Sequence, residues 1–299
     1  MEQLLSFANY LAVSTAIFAM LSFSLDLQIG SCGLANFGQI AFLLVGGYTT
    51  AIATNNGVPP WLAPPLSALT GGAFGVLLSL TVRNMSATYW GMLSLALAEL
   101  VRLFVLNEQW VGGGAGGSTV LVRIPYLAPL VGVSVVLVYL LVRAIGRSPF
   151  GRVIRLIREG DRLPMALGKQ VFVFKLETML LGGLIGGLAG SYYAFLNRYI
   201  SPADGLPIET FVLWAMVILG GRGNPTGVAL GTVVVQALYI GTRFATTLIA
   251  IPPEILFALR LVLIGAIITL VMIFRPDGLL PERRRIYGSY DTVLERRPA

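Results

Sequence analysis

The sequence predicts an all-α integral membrane protein with about nine transmembrane segments, within a range of roughly eight to ten. Three observations carry this reading. Hydrophobic residues make up 56% of the 299 residues and charged residues only 12%, with a mean hydropathy of +0.81. A soluble domain carries about 25% charged residues, so the missing charge must be taken up by long apolar runs. From Leu27 to Val82 there are 56 residues without an Asp, Glu, Lys or Arg. Finally, fourteen of the 21 basic side chains fall in two blocks, residues 143–175 and 275–297, each beside an apolar run.

A crossing needs about 20 mostly apolar residues. Residues 4–25 form the first segment, with Asp26 after it. No basic stretch precedes this run, and it is longer than a secretory signal core, so it is expected to stay in the membrane. The charge-free stretch divides into 34–53 and 62–82 around the turn Asn55-Asn56-Gly57-Val58-Pro59-Pro60. Segments at 86–106, 127–145, 176–196, 206–221, 226–242 and 255–274 complete the set, with 206–221 short for a full crossing. Lys and Arg mark cytoplasmic loops. Placing both basic blocks inside puts the N-terminus outside and the C-terminus in the cytoplasm. It also leaves Arg83 and Arg222 on inside turns. The glycine-rich turn 112–117 and the loop Ser201-Pro202-Ala203-Asp204 then fall outside. The chain divides into a transmembrane domain, 1–282, with a cytoplasmic connector at about 146–175, and a basic tail, 283–299.

Net charge of +7 in this arrangement reads as membrane orientation rather than nucleic-acid binding. A single cysteine, Cys32, precludes an internal disulfide and reads as a small packing residue. Without histidine there is no His-based metal site or general base. No G-x-x-x-x-G-K-[ST], H-E-x-x-H or G-x-S-x-G pattern occurs, so the chain is not expected to hydrolyse ATP or act as an enzyme. Gly182, Gly186 and Gly190 recur on one helical face and Gly183 and Gly187 on another, which predicts close helix packing.

Ionisable residues inside spans are candidates for function. Glu99 and Arg102 share a face and pair with each other or line a pathway. Asn36 and Gln39, three apart, line an aqueous path or bond a neighbouring helix. Asp26 and Glu177 read as charges at span ends, and Arg260 lies within or near the last segment. The run Gly220–Gly227 breaks the helical pattern, and Arg222 favours a turn there. In the connector, Val153, Ile154 and Ile157 share one face while Arg152, Arg155 and Arg158 fall mainly on the other, a short amphipathic helix. A patch from Leu163 follows and ends at Gly168, a C-cap. Such a helix lies on anionic lipid or docks a cytoplasmic partner.

Several blocks resemble one family. Residues 33–42 (GLANFGQIAF) with Gly46-Gly47-Tyr48 resemble the early glycine-rich signature of branched-chain amino acid permeases. Residues 97–102 (LAELVR) with Asn107 and the 112–117 turn are similar to a second block. Residues 155–168, including Ile157-Arg158-Glu159 and Ala166-Leu167-Gly168, resemble the segment that engages the ATPase. Further similarity at 187–191, 200–202, 217–227 and 274–279 covers most of 30–280, closest to the M-type subunit. Gly160 and Pro164 depart from the helix-friendly acidic and alanine-rich run usual there. The resemblance implies an importer-type helical bundle in the bacterial inner membrane. It implies half of a translocation path beside a second homologous permease. It also implies two cytoplasmic ATPase subunits that hold ATP-Mg, and a periplasmic solute-binding protein. No cofactor is expected in this chain. The solute is a branched-chain amino acid, or urea, a short amide or another small polar solute; a stand-alone channel or secondary transporter is the other class. Asn36, Gln39, Glu99 and Arg102 stand as the pathway candidates on their own chemistry, and the resemblance implies that Arg155, Arg158, Glu159, Ala166, Leu167 and Gly168 couple to the ATPase.

Overall fold

The computed structural model describes residues 2–83, 87–122 and 124–248, with 262, 265, 266, 269, 270, 273–275 and 277–282. The basic tail, Arg260 and most of the expected last segment lie outside the described residues. Helix α1 (Glu2–Leu25) runs on into a π-helical turn, Asp26–Ser31. Helices α2 (Gln39–Asn55), α3 (Ala63–Thr81) and α4 (Ala87–Asn107) follow. A single turn, α5 (Gln109–Gly112), and a 3-10 turn lead to strand β1 (Ser118–Thr119). Then come α6 (Leu127–Arg147), α7 (Pro149–Glu159), α8 (Arg162–Ala166) and α9 (Val171–Asn197). Strand β2 (Tyr199–Ile200), a 3-10 turn (Pro202–Gly205), α10 (Pro207–Gly220) and α11 (Pro225–Leu248) complete the order.

Among the described residues, five helices are long and apolar enough to cross a membrane: Phe7–Ser31, Ala63–Thr81, Tyr89–Asn107, Leu127–Arg147 and Val171–Asn197. The 14 residues of α10 rise only about 21 Å at 1.5 Å each, short of a ~30 Å hydrocarbon core. Helix α2 begins five residues later than the segment expected at 34–53, because residues 33–38 are not helical.

The loops sort into two ends. At one end Ser118 pairs with Ile200 and Thr119 with Tyr199, antiparallel. Asn55 Nδ2 donates to the Thr119 carbonyl at 3.0 Å, and the Tyr199 hydroxyl to the Gly116 carbonyl at 2.7 Å. Three connections that the charge pattern assigns to one face are thus bonded to one another. At the opposite end lie α7, the Gly221–Gly223 turn, Glu282, and Arg83 with its guanidinium 4.8 Å from the Phe172 ring.

Helix α9 packs against α1, α2 and α3, and its glycines set the spacing. A Cβ on Gly187 would strike the Ser67 carbonyl of α3, one on Gly190 the Leu43 carbonyl of α2, and one on Gly182 the Gln28 amide. Both glycine faces are therefore in close contact, as small residues in membrane bundles permit. Replacing Gly187 by Leu is expected to cost at least the upper part of the ~1–3 kcal/mol typical of overpacking, because backbone has no rotamer with which to yield. Gly132→Leu, where a Cβ meets nothing within 4 Å, is the control. The yield of monodisperse protein in mild detergent should collapse for the first and hold for the second.

Candidate functional site

The chain leaves α1 through a π-helical turn, and Gly33, with φ 77°, takes it out of helix. Residues 33–38 then pass through the bundle interior, with Leu34 and Asn36 buried. Irregular backbone is tolerated at membrane depth only where the protein satisfies its polar groups. Here it does so. Leu34 N donates to the Gln28 carbonyl at 2.9 Å, Phe37 N to Ser94 Oγ at 3.0 Å, and Gly38 N to Asn36 Oδ1 at 2.8 Å. Ile40 N reaches Thr210 Oγ1 at 3.2 Å, and Trp214 Nε1 donates to the Asn36 carbonyl at 3.0 Å. Trp214 also stacks on Phe37, ring centroids 4.8 Å apart.

Asn36 and Gln39 come together in a buried amide cluster with Gln28 and Ser24. Asn36 Nδ2 donates to Gln28 Oε1 at 2.8 Å and to Gln39 Oε1 at 3.1 Å. Gln28 Nε2 donates to Gln39 Oε1 at 3.0 Å, and Gln39 Nε2 to Ser24 Oγ at 2.8 Å. Ser24 Oγ in turn donates to the Gly182 carbonyl at 2.7 Å. The cluster ties α1, the irregular segment, α2 and α9 together. Ser24 on α1 and Gln28 in the π-helical turn are four apart, on either side of Asp26, and that helical spacing of two polar side chains is the signal in the sequence that marks them.

Glu99 and Arg102 lie elsewhere, on α4. Arg102 Nε is 3.0 and 2.9 Å from the two carboxylate oxygens of Glu99, so the pair closes on itself. Its side chains stay partly exposed, 17% for Arg102 and 34% for Glu99. Asp26 differs from the expected span-end charge. It is buried in the π-helical turn, where Oδ1 accepts from Gly223 N at 2.7 Å and Oδ2 has no partner among the described residues. The helix continues past it to Ser31, so the carboxylate faces the Gly221–Gly223 turn rather than water.

The connector forms the predicted amphipathic helix, α7. Ser148 caps it, accepting from Gly151 N at 3.1 Å, Pro149 supplies the first turn, and Gly160, at φ 152°, ends it. Ile154 and Ile157 are buried and Val153 half-buried, in one apolar cluster with Leu27, Cys32 and Leu34. Arg152 is exposed, but Arg155 and Arg158 turn inward. Arg158 Nη1 donates to the Gly30 carbonyl and to Glu282 Oε2, the latter at 2.9 Å, and Arg155 Nε lies 3.2 Å from Glu282 Oε1. Glu159 is exposed. Nothing in the local sequence announces Glu282, which is 124 residues from Arg158.

Past Gly160, α8 is closed by Gly168 at φ 71°, whose N–H bonds the Met165 carbonyl at 2.9 Å, a left-handed glycine cap. Leu163, Met165 and Leu167 are 57%, 57% and 64% exposed, and Ala166 and Gly168 are exposed beside them. Lys175 Nζ, 2.8 Å from Asp161 Oδ2, fixes the joint between α8 and α9.

The family model described as "Branched-chain amino acid transport system / permease component" matches residues 7–272. The chain belongs to this permease family. It is 29% identical to the probable branched-chain amino acid transport permease protein LivM of Methanocaldococcus jannaschii, over 89% of this chain and 91% of that protein. It is 25% identical to the high-affinity branched-chain amino acid transport system permease protein LivM of Salmonella typhimurium, over 92% and 70% of the two chains. The nucleoside ABC transporter permease protein NupC of Lactococcus lactis subsp. cremoris is 23% identical over 67% and 70%. No solved structure matches. In this permease, α7 packs on the irregular segment and that segment holds the amide cluster, so an exposed helix at one end is joined to the bundle centre by continuous contacts.

Proposed function

We propose that this chain is one of two membrane subunits of an ATP-driven importer for branched-chain amino acids. It would cross a bacterial plasma membrane nine times, with its N-terminus outside and its C-terminus in the cytoplasm. Its partners would be a second homologous permease, two cytoplasmic ATPase subunits that hold ATP-Mg, and an external solute-binding protein. The observation that carries this reading is the alignment with proteins named LivM over about nine-tenths of the chain. A relative named LivH, 22% identical over 77% of the chain, supports a homologous second permease.

The geometry supports a division of labour. The exposed apolar surface of α8, with Ala166, Leu167 and Gly168, is a docking face for the ATPase beside Glu159. Arg155 and Arg158 act from behind that face. They hold α7 to Gly30 and Glu282, so movement of the docked subunit reaches the irregular segment and, through Asn36 and Gln39, the contacts between α1, α2 and α9. The segment's broken backbone lets it shift without unwinding a whole span. Opening the amide cluster would expose Asn36 and Gln39 to the pathway. The Glu99–Arg102 pair on α4 would border that pathway with its charges neutralised.

Reconstitution of the permease pair with its ATPases and binding protein in proteoliposomes tests the function. Leucine should accumulate only with ATP. Accumulation without ATP by this chain alone would overturn the importer reading, and ATP-driven uptake of urea or an amide but not leucine would overturn the solute. Leu167→Asp should lower co-purification of the ATPases about tenfold, since a charge at a desolvated contact costs about a kcal/mol or more. Trp110→Asp, exposed at the opposite end, should leave co-purification intact.

A further inference from the structure

The end of the bundle that carries α7 gathers two carboxylates and two guanidiniums. Asp26 belongs to the π-helical turn, Arg155 and Arg158 to α7, and Glu282 to the chain beyond α11. Glu282 holds both arginines. Its Oε1 lies 3.2 Å from Arg155 Nε, and its Oε2 accepts from Arg158 Nη1 at 2.9 Å. Asp26 holds neither. It is 1% exposed, its Oδ1 accepts from Gly223 N at 2.7 Å, and its Oδ2 meets no partner among the described residues. Ionised or protonated, that oxygen has a hydrogen bond to make, and a buried polar atom left without one calls for a physical reason.

The surroundings of Asp26 supply that reason. The charges that act on it among the described residues are those of Glu282, Arg158 and Arg155. Arg158 stands one residue away on two sides. It donates to the Gly30 carbonyl, and a Cβ on Gly30 would strike Asp26 Oδ1. A Cβ on Gly223 would lie 3.2 Å from Arg158 Nη1 and 2.8 Å from Glu282 Oε2, while the N–H of the same residue is bonded to Asp26. Both of these neighbours are glycines, so neither has a side chain to screen the guanidinium from the carboxylate. Two carboxylates thus flank one guanidinium, and it serves one of them here. An arginine fork suits either. Coupling between distant sites needs an element with two discrete arrangements, and this cluster has one seat filled and a second one open.

We propose that Asp26 is the second seat of Arg158: in the other state of the transport cycle the guanidinium leaves Glu282 and pairs with Asp26 Oδ2. This rests on the importer reading and names the positioning residue that receives α7 when the docked ATPase moves it. The exchange conserves ion pairs, since one carboxylate is paired as the other is released. Glu282 keeps Arg155, so it is not stranded when Arg158 departs. The two states therefore stay close in free energy, and a differential interaction with nucleotide-bound ATPase is enough to shift the population.

The test is pulsed EPR on the complete assembly in lipid nanodiscs. Nitroxides are placed at Arg152 on α7 and at Arg222 in the turn beside Gly223, both exposed, with Cys32→Ser as background. Distances are compared without nucleotide and after trapping with ATP and vanadate. Two populations are expected, a different one dominant in each condition. Glu282→Gln weakens the occupied seat, so without nucleotide it should raise the trapped population about tenfold relative to the resting one, the scale of one charge-assisted hydrogen bond. Asp26→Asn keeps an oxygen for Gly223 N and removes the charge. It should oppose trapping by a similar factor and cut leucine uptake in proteoliposomes, while the thermal midpoint of the assembly holds. A single distance in both conditions, shifts of the same sign in the two variants, or native trapping and uptake in Asp26→Asn would each overturn the exchange. The last of these would leave Asp26 as no more than the acceptor for Gly223 N. If Asp26→Asn does not assemble, Glu282→Gln carries the test, and no enrichment of the trapped population overturns the exchange. An assembly that imports leucine with ATP yet gives one of these results refutes the exchange alone. A chain that associates with no ATPase refutes the importer reading instead.

Discussion

Arg158→Gln is expected to cut ATP-driven uptake at least about tenfold while leaving the ATPases bound. Arg158 makes two charge-assisted contacts that join α7 to the π-helical turn and to Glu282, and its side chain is only 28% exposed. Hydrogen bonds to charged groups contribute about 1.5–3 kcal/mol each, and 1.4 kcal/mol is a factor of ten. Removing the guanidinium leaves the Gly30 carbonyl and one carboxylate oxygen of Glu282 without it, so α7 can shift without pulling the irregular segment. The docking surface on α8 does not include Arg158. Uptake and ATP hydrolysis measured on the same proteoliposomes should therefore separate, with hydrolysis persisting and transport lost. Arg158→Lys should rescue only in part, since an ammonium lacks the planar fork that reaches both acceptors. Loss of ATPase association in Arg158→Gln would count against this division of labour.

Asn36→Leu should act on stability. It removes the donor to Gln28 Oε1 and Gln39 Oε1 and the acceptor for Gly38 N, all in a buried setting. Gln39 Oε1 keeps the Gln28 amide, but Gln28 Oε1 and Gly38 N lose their partner; at about 1–3 kcal/mol each the loss should total about 2–6 kcal/mol, a large share of a typical folding free energy of ~5–15 kcal/mol. Thermal unfolding of the purified assembly should show a markedly lower midpoint, or the variant should fail to accumulate. Gln39→Leu should be comparably damaging. The double variant should cost less than the sum, because Asn36 and Gln39 share a hydrogen bond and the second loss finds it already broken.

Much of the helical framework is legible in the sequence because lipid-embedded backbone leaves a plain chemical trace, a run without charge. Segments 62–82, 86–106 and 127–145 fall within a few residues of α3, α4 and α6. The amphipathic connector is legible because one helical face is apolar, and the cap at Gly168 because a glycine ends the apolar patch; Gly168 adopts φ 71°, and Gly160, at φ 152°, is the stop of α7 that the sequence marks only as a departure from a helical run. The break at 33–38 is hidden because its residues are as apolar as a span. Only Gly33, Gly38 and Asn36 hint that the backbone leaves the helix and bonds to side chains. Asp26 misleads because a carboxylate after an apolar run reads as the water boundary, whereas Gly223, 197 residues on, receives it inside the protein. The inward turn of Arg155 and Arg158 is hidden likewise. Helical periodicity places both on a polar face, and their acceptor comes from the far end of the chain.

Coupling of ATP to transport requires α8 to be the surface that meets the ATPase. A benzophenone amino acid at Leu167, in the complete assembly in native membranes, tests this most directly on illumination. The expected result is a covalent adduct with the ATPase subunit from Leu167, and none from Trp110 at the opposite end. An ATPase adduct from Trp110, or adducts from Leu167 with lipid alone, would contradict it.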